Sequence, residues 1–281
     1  MKIVVVTDST AYIPAQIRDN LAIHMIPLSV VFGHESYREE IDITADDFFT
    51  MVHNAEELPK TSQPALGEVI AKLEELSQTY DAVVAVHLSS GISGTYHTMQ
   101  SAGNMVDGID VYAFDSEVSC LAQGFYVLEA AEMASLPEMT PEKIIARLKE
   151  MKQTMRAYFM ADDLSHLHRG GRLNGAQALI GSMLQVKPLL HFVDTKIVPF
   201  EKIRTRKKAV NRMFDLIGSD AQSGKTIKAC VIHAKREQEA VQMKQELEQR
   251  YDNVEVTISY FGPVIGTHLG EGALGICWFI K

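Results

Sequence analysis

The sequence predicts an α/β protein of two domains: an N-terminal three-layer α/β/α domain with a parallel sheet, and a C-terminal two-layer α/β domain with a mixed sheet. In the first half, short apolar runs rich in valine and isoleucine alternate with amphipathic segments of helical spacing. Such a pattern is typical of a parallel sheet that is covered on both faces. The second half instead contains two adjacent strand patterns that resemble a hairpin. We therefore predict domains at residues 1–156 and 157–281.

The N-terminal domain is predicted from its apolar strands and the helices between them. Strands are expected at residues 3–6, 25–32, 81–88 and 108–115, and helices at residues 66–76, 121–133 and 142–155. Hydroxyl and acid residues follow three of these strands, at residues 7–9, 87–90 and 115–116. Because ligands of such sheets bind at the carboxyl ends of the strands, these residues predict one rim of a binding site.

The C-terminal domain begins with a strand at residues 156–162 and continues with the hairpin pattern at residues 187–193 and 197–203. A helix at residues 205–217 leads to a strand at 226–233, and a helix at 237–250 leads to the last strands at 254–259 and 274–280. Strands and helices that alternate less regularly than in the first half favour a mixed sheet.

Composition excludes several classes of protein. Of the 281 residues, 46% are hydrophobic and 22% are charged, the balance of an ordinary globular protein and not of a disordered chain. The net charge of −9 argues against a general nucleic-acid coat. Apolar runs are far shorter than the ~20 residues of a membrane span. Three scattered cysteines predict buried thiols, and we expect a cytoplasmic protein.

The most specific segment is His87-Leu-Ser-Ser-Gly-Ile-Ser-Gly-Thr-Tyr96, where a strand passes through a small-residue turn into a helix. Ser93 is placed to cap that helix, and Gly94 supplies one of its first free amides. Backbone N–H groups and the helix dipole favour a carboxylate or a phosphate at such a turn. Helix capping alone is the alternative, because serine is a preferred N-cap residue, but so many small hydroxyl and glycine residues in a row are more than a cap requires.

Two weaker segments carry polar groups that gain meaning only from the fold. Thr61 and Ser62 precede a proline and a helix, which suggests capping unless the fold brings them beside Ser93. His268 lies among glycines in residues 262–273, where it is either a titratable contact for a ligand or a histidine in a surface turn. A formal G-x-G-x-x-G in this region lacks the helix that a dinucleotide fingerprint needs.

Two basic clusters stand out against the acidic net charge. One contains Arg169 and Arg172, and the other contains Arg204 and Arg206. They suggest docking of an acidic partner or a phosphate group, although a solvated charged face is the simpler alternative. His166 and His168 alternate without carboxylates at ligand spacing, so we expect no metal.

Taken in order, these segments resemble the DegV family of bacterial lipid-binding proteins. The resemblance runs essentially from Met1 to Lys281, and one departure is Glu271, where the family pattern usually has proline. It is carried by Thr7-Asp8-Ser9, Lys60-Thr-Ser-Gln-Pro64, Ser89-Ser-Gly-Ile-Ser-Gly-Thr-Tyr96, Asp115-Ser116, Leu167-His-Arg-Gly-Gly-Arg172, Val186-Lys-Pro188 and Gly262-Pro-Val-Ile-Gly-Thr-His268.

This resemblance implies a long-chain fatty acid, such as palmitate, stearate or oleate, held in a tunnel between the two domains. Its carboxylate would meet the hydroxyls of Thr61 and Ser93, with Ser62, Gly94 and His268 nearby. Some family members present that carboxylate to a fatty-acid kinase and are not enzymes themselves. The resemblance therefore implies a carrier with no cofactor, a possible kinase partner and at most a transient contact with membranes.

Two other features of the sequence bear on this hypothesis. Flexible methionine and phenylalanine side chains suit an adaptable tunnel wall, and the segments Phe159-Met160 and 176–184 are candidates to line it. The alternative function is a serine-dependent lipid hydrolase or acyltransferase with Ser93, His268 and Asp115. Thr95 stands where the nucleophile elbow requires its second glycine, which argues against that alternative. A third hypothesis is an interaction protein that acts through its basic clusters.

Overall fold

The computed structural model describes residues 1–174 and 187–281. The strands are β1 (Ile3–Asp8), β2 (Ile23–Ile26), β3 (Ser29–Phe32), β4 (Glu35–Arg38), β5 (Lys60–Ser62), β6 (Ala82–His87), β7 (Asp110–Asp115), β8 (Arg156–Met160), β9 (Leu189–Val193), β10 (Lys196–Glu201), β11 (Ile227–His233), β12 (Val254–Tyr260) and β13 (Leu274–Ile280). The helices are α1 (Ala15–Asn20), α2 (Ala45–Asn54), α3 (Leu66–Ser77), α4 (Thr95–Gly103), α5 (Cys120–Ala134), α6 (Pro141–Thr154), α7 (Ser165–Arg169), α8 (Arg206–Ala221), α9 (Glu237–Arg250) and α10 (Pro263–Leu269). In this part of the chain, no helix combines the length and hydropathy needed to cross a membrane.

The first sheet is parallel, in the order β2-β1-β6-β7, as the sequence predicts. Its strands alternate between two apolar faces because successive side chains of a strand point in opposite directions. Val4 and Val6 pack with α3 and α4 on one face, whereas Val5 packs with α5 and α6 on the other. Helices on both sides of the sheet give the three predicted layers.

A small antiparallel sheet, in the order β4-β3-β5, was not predicted. The apolar run at residues 25–32 predicts one strand, but Pro27 separates β2 from β3. Proline has no N–H to donate to a ladder, so the chain leaves the first sheet there and enters the second. This small sheet positions Thr61, which lies on β5 opposite Val30.

The second large sheet is mixed, in the order β10-β9-β8-β13-β11-β12, which confirms the predicted class. Its outer face packs against α8 and α9 through residues such as Trp278 and Met213. Its inner face, which includes Phe159 and Cys277, packs in one continuous apolar core with residues of the N-terminal half. The two halves therefore meet at the face of this sheet that α8 and α9 do not cover.

Helix α10 comes from the C-terminal half but packs against α2, β3 and β5 of the N-terminal half. Pro263 stands in its first turn, where its missing N–H costs nothing, and Gly270 ends it with a φ of 74°. No helix is expected in this glycine-rich segment from its sequence, and α10 shows that the surface-turn interpretation of His268 is wrong. The predicted boundary between residues 156 and 157 falls at the start of β8 and stays a prediction.

Candidate functional site between the two halves

A cavity of about 330 Å³ lies between the inner face of the mixed sheet, α10 and the loops of the N-terminal half. Its volume is within the ~300–1,000 Å³ typical of small-molecule sites. The apolar residues that line it are Leu28, Leu88, Ile92, Ala122, Ala157, Phe159, Leu167, Phe192, Ile197, Ile232, Phe261, Val264, Ile265, Leu269 and Ile276. Such a wall suits an apolar ligand.

The predicted composition of the wall is only partly correct. Phe159 lines the cavity, but Met160 points to the opposite face of the sheet and packs against the outer helices. Among the described residues, the wall contains phenylalanines and no methionine. The candidate segment 176–184 lies outside the described residues. Cys120 and Cys277 complete the wall, and burial raises the pKa of both thiols, so they stay neutral.

The polar groups of the cavity gather around His268 on α10. Nε2 of His268 lies 2.9 Å from Oγ1 of Thr61, which β5 supplies from the other half. In the described part of the chain, Nδ1 of His268 is buried without a hydrogen-bond partner. Burial, together with the nearby Arg172, His166 and Arg169, lowers the pKa of His268 to about 4. His268 is therefore a neutral imidazole at neutral pH.

Ser93 and Gly94 line the same cavity and are half-buried at the start of α4. Oγ of Ser93 accepts a hydrogen bond from the Thr95 N–H at 3.3 Å and lies 2.9 Å from Oγ1 of Thr95. Gly94, and not Ser93, is the N-cap residue of α4, and the helix has no side-chain cap. Ser93 lies one residue before the cap, where its hydroxyl accepts from the first helical N–H and the residue lines the cavity.

The segment before α3 lies beside the Ser93 turn, so Thr61 and Ser62 belong to the same site as Ser93 and do not serve only as helix caps. Nε2 of Gln63 donates to Oγ1 of Thr98 at 2.7 Å. A Cβ on Gly94 would meet Oε1 of Gln63 at 2.0 Å, so the glycine permits this contact. Ser62 is exposed at the cavity, where its hydroxyl donates to the Gln63 carbonyl.

Gln63 and Ser119 line the cavity but were not predicted as site residues. Ser119 precedes α5 and follows β7, so the rule that ligands meet the carboxyl ends of strands identifies its neighbourhood. Gln63 was passed over because nothing in the sequence shows that β5 pairs with β3 and so faces the Ser93 turn.

The four predicted docking arginines fall into three situations. Arg169 and Arg204 are exposed and have no ion-pair partner among the described residues. Arg172 lines the cavity, where its guanidinium donates to the carbonyls of Ile92 and Gly170. Arg206 is bound within the protein by Glu239, Asp162 and the Gly272 carbonyl, which its predicted docking role does not account for.

The guanidinium of Arg206 forms a bidentate pair with Glu239 at 2.9 Å. It also donates to Asp162 at 3.2 Å and to the Gly272 carbonyl at 2.8 Å. A side chain held by three acceptors is a poor candidate for binding a partner. We therefore correct the predicted docking set by leaving Arg206 out of it.

The strand-end residues form a buried network around Asp8 and not the predicted open rim, and Nε2 of His87 has no hydrogen-bond partner among the described residues. Asp8 is fully buried and accepts from His87, Thr10 and the Leu88 N–H at 2.6 to 3.0 Å. Burial raises the pKa of Asp8, but these donors outweigh it, and the pKa lies below its usual value. Gln123 closes the network by donating to Asp8. None of these side chains lines the cavity.

The residues of the hydrolase alternative are not joined to one another. Within the described residues, Ser93 pairs with Thr95, His268 pairs with Thr61, and Asp115 accepts from the backbone N–H groups of Ser90 and Glu117. A triad needs the base within hydrogen-bond reach of both the nucleophile and the acid. Residues 1–174 and 187–281 also contain no cluster of three or more potential metal ligands.

The fold and cavity define a class: two α/β units that enclose an apolar cavity with a polar group of hydroxyls and one neutral histidine at its wall. The chain belongs to the DegV family, because the family model described as "Uncharacterised protein, DegV family" matches residues 2–281.

Relatives and solved structures agree with this assignment over the whole chain. Protein DegV of Bacillus subtilis is 60% identical over 281 residues, which is 100% of both chains. A DegV domain-containing protein of Listeria innocua is 51% identical over 100% of this chain and 99% of its own. The crystal structure of the Bacillus subtilis DegV, a fatty acid binding protein, superposes with a TM-score of 0.95 over 100% of both chains. A structure on fatty acid binding of a DegV family protein from Thermus thermophilus is 29% identical, with a TM-score of 0.93 over 100% of both chains.

Proposed function

We propose that this protein binds one long-chain fatty acid, such as palmitate, stearate or oleate, in the cavity between its two halves. One observation carries the proposal: in the wall of an apolar cavity the Thr61 hydroxyl contacts the neutral His268, and Ser93 and Gly94 line the same cavity. A dozen buried methylenes contribute roughly 10 kcal/mol of gross transfer free energy. The fatty acid binding of the Bacillus subtilis and Thermus thermophilus relatives supports the same conclusion.

In this proposal, the fatty-acid carboxylate is bound by Thr61, Ser62, Ser93 and Gly94, with His268 beside it. Hydroxyl and amide donors hold a carboxylate without a buried countercharge, which keeps the desolvation cost of the site low. Neutral His268 supplies a further donor from one ring nitrogen, depending on its tautomer. The nearby guanidinium of Arg172 adds a favourable field from the cavity wall.

Extraction of the purified protein into organic solvent, followed by mass spectrometry, tests this proposal. We expect one fatty acid per chain, or saturable uptake of one added oleate by protein that was stripped of lipid. Protein that releases no lipid and binds neither palmitate nor oleate would contradict it. A fluorophosphonate probe tests the hydrolase alternative on the same sample, because covalent labelling of Ser93 would favour that alternative.

We further propose that the bound carboxylate is presented to a fatty-acid kinase, and that this protein is a carrier and not itself an enzyme. In that reaction a carboxylate oxygen bonds to the γ-phosphorus of ATP while the bond to ADP breaks. The exposed Arg169 and Arg204 are the candidate docking residues, with Arg172 close to the carboxylate. Their charge contrasts with the net charge of −9 of the chain.

Charge reversal tests the docking step. Arg169→Glu combined with Arg204→Glu is expected to reduce kinase-dependent formation of acyl phosphate at least tenfold while oleate affinity changes less than threefold. The matched control is Lys149→Glu with Lys225→Glu, which reverses two exposed cations elsewhere on the surface. Equal losses in the two double variants would show a non-specific charge effect and contradict the docking residues.

A further inference from the structure

Glu39 is a fully buried carboxylate at the junction of the two halves. Its Oε2 accepts from the Ser9 hydroxyl at 2.6 Å, and its Oε1 accepts from the Tyr12 hydroxyl at 3.0 Å. Oε1 also accepts from the backbone N–H of Val264 at 2.8 Å. Ser9 and Tyr12 follow β1, whereas Val264 lies in the first turn of α10. One carboxylate therefore joins the N-terminal half to the helix that carries His268.

Tyr12 and Gly262 make the same junction tight. The Tyr12 hydroxyl accepts from the Ile265 N–H at 3.4 Å, so a second amide of α10 is also bound by the N-terminal half. A Cβ on Gly262 would meet the Tyr12 ring at 2.4 Å and Oε1 of Glu39 at 3.0 Å. Glycine at this position lets the chain enter α10 in direct contact with both side chains.

Only neutral donors and the start of a helix stabilise the charge on Glu39. Burial raises the pKa of Glu39, and Glu40 raises it further, whereas the hydrogen bonds from Ser9, Val264 and Tyr12 lower it. Burial is the largest of these effects, and together they bring the pKa to about 7. The other titratable groups that act around this junction are Tyr12, Cys120 and Tyr260, while Arg18 is paired with Glu40. Keeping a carboxyl here therefore carries an energetic cost that an apolar residue would avoid.

We propose that Glu39 is a positioning residue for the lipid site: it fixes the first turn of α10 to the N-terminal half and so holds His268 at the cavity wall. Val264, Ile265, His268 and Leu269 all line the cavity from this one helix. A shift of α10 would break the contact between His268 and Thr61 and open part of the apolar wall. The effect on lipid affinity rests on the proposed function, whereas the effect on His268 does not.

Two substitutions separate the hydrogen bonds of Glu39 from its charge. Glu39→Gln keeps an oxygen to accept from Val264 and Tyr12, and its amide can donate to Oγ of Ser9. Glu39→Ala leaves three buried donors without an acceptor, which releases the start of α10. Glu57→Ala removes an exposed carboxylate in the preceding loop of β5 and serves as the matched control.

The test measures His268 directly by NMR titration of labelled imidazoles in protein stripped of lipid. His268 is expected to titrate near pH 4 in the wild type, in Glu39→Gln and in Glu57→Ala. In Glu39→Ala its midpoint is expected to rise by at least one pH unit toward 6.5, because water reaches the ring. His24 lies on β2 of the first sheet with its ring against Tyr80. Its midpoint is expected to stay the same in every variant, so it reports on the rest of the fold.

Oleate affinity is measured on the same proteins. We expect at least a tenfold weaker affinity in Glu39→Ala and less than a threefold change in Glu39→Gln. An unchanged His268 midpoint in Glu39→Ala overturns the positioning role whatever the lipid result. The His268 midpoint could shift in Glu39→Ala while neither the wild type nor any variant binds oleate. That result would support the positioning role of Glu39 and contradict the proposed function.

Glu39→Asp keeps the inference testable if the alanine variant fails to fold. The shorter side chain withdraws the carboxylate from Val264 while it keeps the charge, so the His268 midpoint is expected to rise by a smaller amount. A wild-type midpoint in Glu39→Asp, together with wild-type affinity, would overturn the inference.

Discussion

Two buried polar clusters in the described part of the chain, one around His87 and one around His268, differ in the groups that they present to a ligand. Nδ1 of His87 bonds at 2.9 Å to the carboxylate of Asp8, whose other acceptors are filled by donors of the same half. Nε2 of His268 bonds to the neutral hydroxyl of Thr61 from the other half, and basic groups surround it.

This difference separates a structural role from a binding role. The Asp8 cluster contains its own negative charge, lies away from the cavity wall and has no need of a further anion. The His268 cluster lies on the cavity wall with hydroxyls and guanidinium groups, and residues 1–174 and 187–281 supply no carboxylate to that wall. In the proposed function, the fatty-acid carboxylate is the anion that completes the second cluster from outside the chain.

Removal of the Asp8 carboxylate is expected to give the largest change in stability among the substitutions that test this comparison. Asp8→Ala leaves His87, Thr10 and Gln123 with buried polar groups that have lost their acceptor. We expect the free energy of unfolding to fall by about 3–5 kcal/mol in urea denaturation. His268→Gln at neutral pH is the control, with an expected loss below about 1 kcal/mol. Equal losses of unfolding free energy in the two variants would mean that the two clusters contribute equally to stability, which contradicts the comparison.

The low pKa of His268 predicts a pH dependence of stability in protein stripped of lipid. Below pH 6.5 the unfolded chain binds a proton at His268 that the folded protein refuses until about pH 4. Stability is therefore lost as pH falls through this window, by roughly 2 kcal/mol near pH 5. Denaturation of the wild type and of His268→Gln at pH 7 and pH 5 isolates the effect, because the variant lacks this proton.

Glu39 acts in the opposite sense and sharpens the same experiment. Its raised pKa means that the folded protein keeps a proton which the unfolded chain has already released. Stability is therefore lost as pH rises from about 4.5 toward 7, and Glu39→Gln is expected to flatten that part of the curve. A wild-type slope in both variants would contradict these assignments.

Loss of a hydroxyl from the His268 cluster is expected to weaken fatty-acid binding but to leave the stability of the fold nearly unchanged. Thr61→Ala and Ser93→Ala each remove one donor to the carboxylate, worth about 1 kcal/mol or a five- to tenfold weaker oleate affinity. Titration calorimetry gives the affinity, and urea denaturation is expected to show little change in stability. Wild-type affinity in both variants would move the carboxylate to another part of the cavity.

A steric change beside His268 gives the smallest of these effects. A Cβ on Gly170 would meet Nδ1 of His268 at 2.3 Å, so Gly170→Ala is expected to displace the imidazole and weaken oleate binding several-fold. Gly67→Ala in α3 is the control, because its Cβ meets no atom within 4 Å. That change is expected to add about 0.4–1 kcal/mol of stability and leave affinity unchanged.

Local patterns predict much of the fold. The helix expected at residues 237–250 and the strand expected at 274–280 coincide with α9 and β13, since each depends on its own apolar periodicity. Helix α10 was missed because its seven residues contain a proline and a glycine and lie between further glycines. Such a short segment becomes helical only through its contacts with α2, β3 and β5.

The candidate site was predictable residue by residue but not as an arrangement. Thr61, Ser93 and His268 each stand in a recognisable local motif, yet their proximity depends on strand pairing and on contacts between the two halves. Arg206 fails for the same reason, because its acceptors Asp162 and Glu239 are remote in sequence. Glu39 carries no local signal, since a glutamate after a short exposed strand has the appearance of a surface residue.

The contrast between the two histidines is tested most directly by following both imidazoles by NMR while oleate is added. We predict that the resonances of His268 shift and saturate at one oleate per chain, while those of His87 stay where they are. His268 resonances that do not respond to bound oleate, or His87 resonances that shift equally, would contradict the account.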